Sequence, residues 1–296
     1  MVSRASDRAL RAFTEVVVRR GVAPAARALG ISPSAVSHLL RELEASLGVV
    51  LFQPGTRRTK LTEAGERLNA GIGGAFHAID RAVSDLARQS GEIRVSTLST
   101  FATLWLVPRL ARMQAALPHL RVLVATDTRP VDLAAEPFDC AIRWGLGGWP
   151  GLVAVPLLRE ELIAVAGPSA IPGLEAFGAD TDLLALPRIA ARSRPEDWPR
   201  LLARMGYGSE ELNAPALVFE TRALAVRAAI AGLGVAVVDR GLVVDALRSG
   251  HLVQVTPTSV ERPEAHFFVA RPQALRDKGV RSFRDWIVSE AEADAR

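Results

Sequence analysis

The sequence predicts a mainly α winged helix-turn-helix head and a long linker helix, followed by an α/β domain in two lobes. Three observations carry this. Apolar residues recur at helical spacing from the start of the chain to about Gln89, whereas after Ser90-Gly91 short apolar runs alternate with helical stretches. Charge is also divided: the first 90 residues hold 13 Lys+Arg against 8 Asp+Glu, and the remainder holds 23 against 24. A basic head on a near-neutral body suits a nucleic-acid module joined to something else. Finally, 296 residues with 49% hydrophobic and 23% charged composition suffice for two or three cores and argue against disorder.

In the head, Leu10, Phe13, Val16 and Val17 give the first helix one apolar face, and Gly21 is expected to end it. Pro24 suits the first turn of a second helix, Pro24 to Leu29, which stops at Gly30. Ser32-Pro33 reads as a cap and first-turn proline for a third helix, Pro33 to about Leu47, with Val36, Leu40, Leu43 and Leu47 inward. The segment LGVVLFQPGTRRTKLT reads as a hairpin wing with a Pro-Gly turn and a basic cluster. Thr62 can then cap a long helix from Glu63 to about Gln89. Its apolar stripe, Leu68, Ile72, Phe76, Ile79, Val83 and Leu86, has no partner in the first 90 residues, so a second chain is expected. Gly71, Gly73 and Gly74 inside it suggest close backbone approach at a crossing, or a kink.

Beyond residue 90, Ile93–Thr97, Arg121–Thr126, Asp139–Arg143, Glu161–Ala166, Val235–Asp239 and His266–Ala270 read as buried strands. Leu104–Ala116, Thr221–Ala231 and Leu275–Glu290 read as helices. Parallel sheets in two α/β lobes around a cleft are expected.

The segment AARALGISPSAVSHLLRELEASLGVVLF followed by LTEAG resembles the signature of LysR-type transcriptional regulators. In the sensor, TLWLVPRL, VDLA, FDCAIRWG and WPGL are similar to a branch of that family that includes the glycine-cleavage activator. The resemblance implies a winged helix-turn-helix (residues 1–62), a linker helix for dimerisation (63–90) and a periplasmic-binding-protein-like sensor (91–296). Lobe I is expected at about 91–160 with 267–296, and lobe II at about 161–266. It further implies a homodimer or homotetramer on double-stranded DNA, contact with RNA polymerase, and a small-molecule effector between the lobes. The chain departs from the family pattern at Gly21-Val22-Ala23 before the second helix, at Leu39 on the third and at Pro54 in the wing.

A recognition helix needs short polar groups near its N-terminus and cations beside them. Pro33, Ser34, Ser37, His38 and Arg41 supply these, and Arg57, Arg58 and Lys60 in the wing suit phosphate or minor-groove contacts. The competing reading is a solvated polar face. For the effector, the candidates are Ser99 and Thr100 after the first sensor strand, Thr126 after the second, Thr221 before a helix, and Arg192, which could meet a carboxylate. Helix N-termini at such a cleft attract anions, so an anionic effector suits it. Plain N-capping competes for Ser99, Thr100 and Thr221.

The sequence holds no nucleophile elbow, phosphate-binding glycine loop or complete dinucleotide fingerprint, and GLGGWPG has the wrong spacing. Its five histidines stand singly, without metal-ligand spacing. Neither an enzyme nor a cofactor is expected. A solute-binding protein, an enzyme on the same fold and a regulator without effector response are the alternatives. The charged segment MVSRASDRALRAF does not read as an export signal, no run of about 18 apolar residues occurs, and the single Cys140 suits a reducing compartment. A cytoplasmic protein without membrane association is therefore expected.

Overall fold

In a computed structural model, the described residues are 6–294 except 54, 56–59, 87–90, 128, 135, 171–182 and 209–213; within the long linker helix, side chains are described for only some residues. They divide into two compact units, one within Met1–Gln89 and the other comprising Ser90–Leu133 and Phe138–Arg296.

The first unit holds α1 (Asp7–Val18), α2 (Val22–Leu29), α3 (Pro33–Leu47) and α4 (Glu63–Leu86). Ala12, Phe13, Val16, Val36, Leu40 and Leu43 are fully buried in its core, the inward faces that the periodicity predicts. The break after α1 differs from expectation. The chain turns at Arg20, a non-glycine residue with φ 54°, and Gly21 instead caps a second helix that starts two residues before Pro24. Pro24 can lie there because the first-turn N–H groups have no intrahelical acceptor.

Ser32 caps α3: its hydroxyl accepts from Ala35 N at 3.2 Å, and Gly48 ends the helix in the left-handed conformation (φ 68°). Phe52 and Leu61 form the only bridge described in the wing, beside Gln53 N–H donating to Lys60 O at 2.9 Å. Glu44 at the end of α3 accepts from Leu51 N at 2.8 Å and fixes the wing's root. Thr62 Oγ1 accepts from Gly65 N at 3.1 Å, capping α4. Gly65 is required here, because a Cβ would stand 2.2 Å from Leu51 O.

The linker stripe divides. Leu68 and Ile72 pack on the head's own core, which corrects the expectation that none of the stripe finds a partner there, while Ile79 is exposed. The helix runs on through its glycines, and a Cβ at Gly71 would meet nothing, so no close approach within the chain explains that residue. Its expected end at Gln89 lies outside the described residues.

The second unit is built on one sheet of order β2-β1-β3-β8-β4-β7-β5-β6. Its strands are β1 (Glu92–Thr97), β2 (Arg121–Thr126), β3 (Cys140–Gly145), β4 (Val153–Ala166), β5 (Arg188–Ala191), β6 (Leu217–Phe219), β7 (Val235–Asp239) and β8 (Val253–Ala270). The lobes have parallel pairings at their outer parts, β2-β1-β3 in one and β7-β5-β6 in the other. The expectation of wholly parallel sheets is corrected at the centre. There β4 and β8, of 14 and 18 residues, pair antiparallel and run through both lobes. Only their apolar ends were legible, because Pro156, Pro257 and Pro263 and a run of charges interrupt the pattern. The pairing accommodates them with register shifts between Pro156/Leu158, Arg159/Glu161 and Ile163/Val165.

A helical stretch begins at Ser99 as α5 (Ser99–Phe101), widens into a π turn over Ala102–Leu106, and continues as α6 (Val107–Ala116). Pro108 at the start of α6 lacks an N–H, which suits the irregular turn before it. Helices α7 (Asp197–Arg204), α8 (Arg222–Ile230), α9 (Val244–Arg248) and α10 (Lys278–Asp294) complete the unit. Phe101, Trp105, Ile142, Phe268 and Phe283 are fully buried in the first lobe's core, each worth about 2–3 kcal/mol of burial. In the second lobe, α8 covers one face of β5 and β7 and α7 the other. Buried Arg109 of α6 ties the lobes: it pairs with Asp245 of α9 at 2.8 Å and with Asp294 of α10 at 2.5 Å.

Candidate functional site

The head's outward face comes from α3. Burial of Val36, Leu40 and Leu43 turns Ser34, His38 and Arg41 to solvent, with Pro33 exposed at the helix start and Ser37 half-buried. His38 lies 3.3 Å from Glu42, both well exposed, and Arg41 Nε donates to Ser37 O at 3.3 Å. Neither contact holds its side chain against a stronger partner. Lys60 is exposed in the wing, whereas Arg57, Arg58 and Pro54 lie outside the described residues. Leu39 is half-buried against the head's core, so this departure from the family pattern is absorbed by packing.

The sensor's site lies where strands of both lobes end. A cavity of about 280 Å³ opens there. Ser99 and Thr100 line it from the start of α5, and Thr221 and Arg222 from the start of α8. Arg143 and Trp144 reach it from β3, His266 from β8, and Ser193 and Arg194 from the loop after β5. Of the sequence-predicted residues, Ser99, Thr100 and Thr221 are thus brought together. Thr126 and Arg192 are not among the lining residues: Thr126 is exposed at the end of an edge strand, and Arg192 is 73% exposed, 3.3 Å from Glu220. Thr221 also caps α8, its Oγ1 accepting from Leu224 N at 3.4 Å.

Beneath the cavity lies a charge network that the sequence reading did not find. Arg222 donates to both carboxylate oxygens of Asp197 at 2.6 Å and to Glu160 at 2.7 Å, with all three buried. Burial disfavours the charge of Arg222, but Asp197 and Glu160 outweigh it and hold the guanidinium cationic. Glu160 also accepts from Trp144 Nε1 at 3.2 Å and lies 3.4 Å from Arg262. Asp239, at the end of β7, accepts from Glu161 N and Gly241 N, each at 3.2 Å. Burial and then the charge of Glu160 push its carboxyl up to about 7. Its other oxygen faces His266 Nδ1 at 3.6 Å. Burial, with Arg222 and Arg194 nearby, pushes His266 down to about 3, so its ring is neutral near pH 7. The one available signal was RALAVRAAI, where an arginine opens a helix directly after Thr221 that is apolar apart from Arg227.

Cys140 is fully buried, and burial raises its thiol well above the usual range, which leaves it a packing group. Among the described residues no cluster suited to a metal ion occurs, and no helix is long and apolar enough to cross a membrane.

A helix-turn-helix head joined to a two-lobed domain with a ligand-sized cavity defines a ligand-responsive DNA-binding protein. Residues 8–66 match the lysR family of bacterial regulatory helix-turn-helix proteins, and residues 87–292 match the LysR substrate binding domain. The chain belongs to the LysR family of transcriptional regulators. It is similar to the AhcY transcriptional activator HvrB of Rhodobacter capsulatus, with 31% identity over 96% of this chain and 96% of that protein. It is likewise similar to the glycine cleavage system transcriptional activator of Escherichia coli, with 30% identity over 97% of this chain and 94% of that protein. Its second unit resembles the effector domain of the transcriptional regulator AmpR of Pseudomonas aeruginosa. That match has a TM-score of 0.56 and 27% identity, over 69% of this chain and 97% of that domain. The relatives are transcriptional regulators rather than enzymes.

Proposed function

We propose that the chain reads a two-fold-related DNA site through α3 and the wing, and that a small molecule in the sensor cavity alters this binding. The observation that carries the reading is the cavity itself, which gathers Ser99, Thr100 and Thr221 from both lobes beside a buried charge network. Ser34, Ser37 and His38 approach base edges, Arg41 a base or a phosphate, and Arg57, Arg58 and Lys60 phosphates. Pro33 sets the helix start against the DNA backbone. The working unit is a homodimer or tetramer joined through α4 (Glu63–Leu86), with Ile79 among the exposed positions that a second chain would cover. Lobe I comprises about 91–160 with 267–296 and lobe II about 161–266, so the long strands β4 and β8 are the hinge between them. An effector preferring one lobe arrangement shifts the population toward it and changes the spacing or bend of bound DNA. Action is cytoplasmic, through RNA polymerase at the promoter, with no catalysis and no cofactor.

The test is a footprint of the full chain on DNA upstream of its own and neighbouring genes, with unrelated competitor DNA. A protected two-fold-symmetric site that survives the competitor is expected, with Arg41→Ala weakening it by about tenfold or more. Protection lost equally to any DNA, or unchanged in that variant across a salt series, overturns the reading.

A further inference from the structure

Resting on the reading of the cavity as an effector site, we propose that the effector is a small hydroxy- or oxo-monocarboxylate whose acid group docks on Arg194. The argument starts from which charges around the cavity already have partners. Arg222 is held by Asp197 and Glu160. Arg143 donates to Ser96 Oγ at 3.0 Å and to Ile142 O at 3.1 Å. Arg194 differs: its guanidinium carbon lies over the Trp144 ring, 3.7 Å from the centroid, and its side chain makes no hydrogen bond or ion pair with any described residue. Glu160 and Asp197 are close enough to influence its charge, but Arg222 takes both oxygens of Asp197 and one of Glu160, whose other oxygen accepts from Trp144 Nε1 beside Arg262.

A guanidinium held by its face keeps its edge free, and that edge matches the two oxygens of a carboxylate. The stack also joins the lobes, since Trp144 stands on β3 and Arg194 follows β5. Ligand docking on Arg194 would therefore act on the contact across the cleft.

Two further observations narrow the class. Among the described residues no Asp or Glu lines the cavity, so an α-ammonium group would sit among three arginines without a counter-charge. A hydroxyl or keto group in its place meets Ser99, Thr100 and Ser193, whose hydroxyls make no hydrogen bond with any described residue. One open guanidinium also suits one negative charge: a phosphate, at about −1.5 to −2, would bring a charge with no partner. About 280 Å³ stands at the small end of ligand sites, which run from about 300 to 1,000 Å³, and so suits a small ligand. Leu98, Leu242 and Pro130 offer an apolar wall for a short side chain.

The test is calorimetric titration of the full chain with lactate, pyruvate and mandelate, beside alanine, lactamide and inorganic phosphate. At least one of the three acids is expected to bind about tenfold or more tightly than alanine, lactamide or phosphate. Arg194→Gln should abolish that preference. Arg194→Lys, which keeps the charge but not the fork, should retain part of it, and an unchanged thermal midpoint for either variant shows that it is folded. Equal binding of alanine, lactamide or phosphate, no binding of any acid, or a preference that survives Arg194→Gln overturns the proposal. The effector reading fails separately. Acids that bind through Arg194 yet leave the footprint unchanged defeat that reading alone, and a neutral metabolite that changes the footprint supports it while defeating this inference.

Discussion

On the recognition helix, His38 and Arg41 stand in solvent with one weak contact each, whereas in the sensor Arg222 is buried with three hydrogen bonds to two carboxylates. The two regions use charge differently. On the proposed reading of α3 as the DNA-reading face, its polar groups have to stay unpaired until the duplex arrives, so they are placed by helix periodicity and left open. A ligand cleft has to hold charges out of water, which is tolerable only where the protein supplies counter-charges. Arg194 stands between these cases, half-buried like the cleft yet open like the recognition face.

The contrast can be broken most strongly at Arg222. Arg222→Met strands Asp197 as a buried carboxylate and leaves Glu160 only Arg262 and Trp144, and a loss of about 3–5 kcal/mol is expected in urea unfolding of the full chain. His38→Ala should stay within about 0.5 kcal/mol of wild type in the same experiment. Similar small losses for both would show that water already reaches the network. A somewhat smaller effect is expected in the head at Gly65. Gly65→Ala drives a methyl to 2.2 Å from Leu51 O, and a loss of about 1–3 kcal/mol follows, read as a lower thermal midpoint. A neutral result would mean that the root of the wing shifts freely.

The last effect is on pH dependence and is spread over several pH units. Asp239 titrates near 7 in the folded state, above its ordinary 3.8, so the folded state keeps a proton that the unfolded state loses. Its contribution is present below about pH 4 and is lost as pH rises to 7. His266 titrates near 3 instead of 6.5, so its contribution is lost as pH falls from 6.5 to 3. Between about pH 4 and 6.5 the two slopes oppose. Asp239→Asn should leave only the histidine's, making stability rise with pH there by up to about 1.4 kcal/mol per unit relative to wild type. Parallel wild-type and variant profiles of unfolding midpoint against pH would contradict this.

The sequence by itself determined what local chemistry determines. The inward faces of α1 and α3, the Ser32 cap, the Thr62 cap and the strands β1 and β7 follow from spacing and side-chain type within a few residues, whereas β2, expected as a buried strand, is a strand but an exposed one at the sheet edge. Ser99, Thr100 and Thr221 were legible for the same reason, each being a hydroxyl at a helix start. Tertiary structure decided what depends on distant partners. Nothing near Arg222 in sequence indicates that Asp197 and Glu160, 25 and 62 positions away, will neutralise it. Nothing near Arg194 indicates that Trp144 will lie beneath it. The centres of β4 and β8 were hidden because charged residues interrupt their pattern, and of these Glu160 is buried only once Arg222 and Arg262 bring counter-charges. Periodicity reports which way a residue faces along its own element, and pairing across the fold is set by the packing of the elements together.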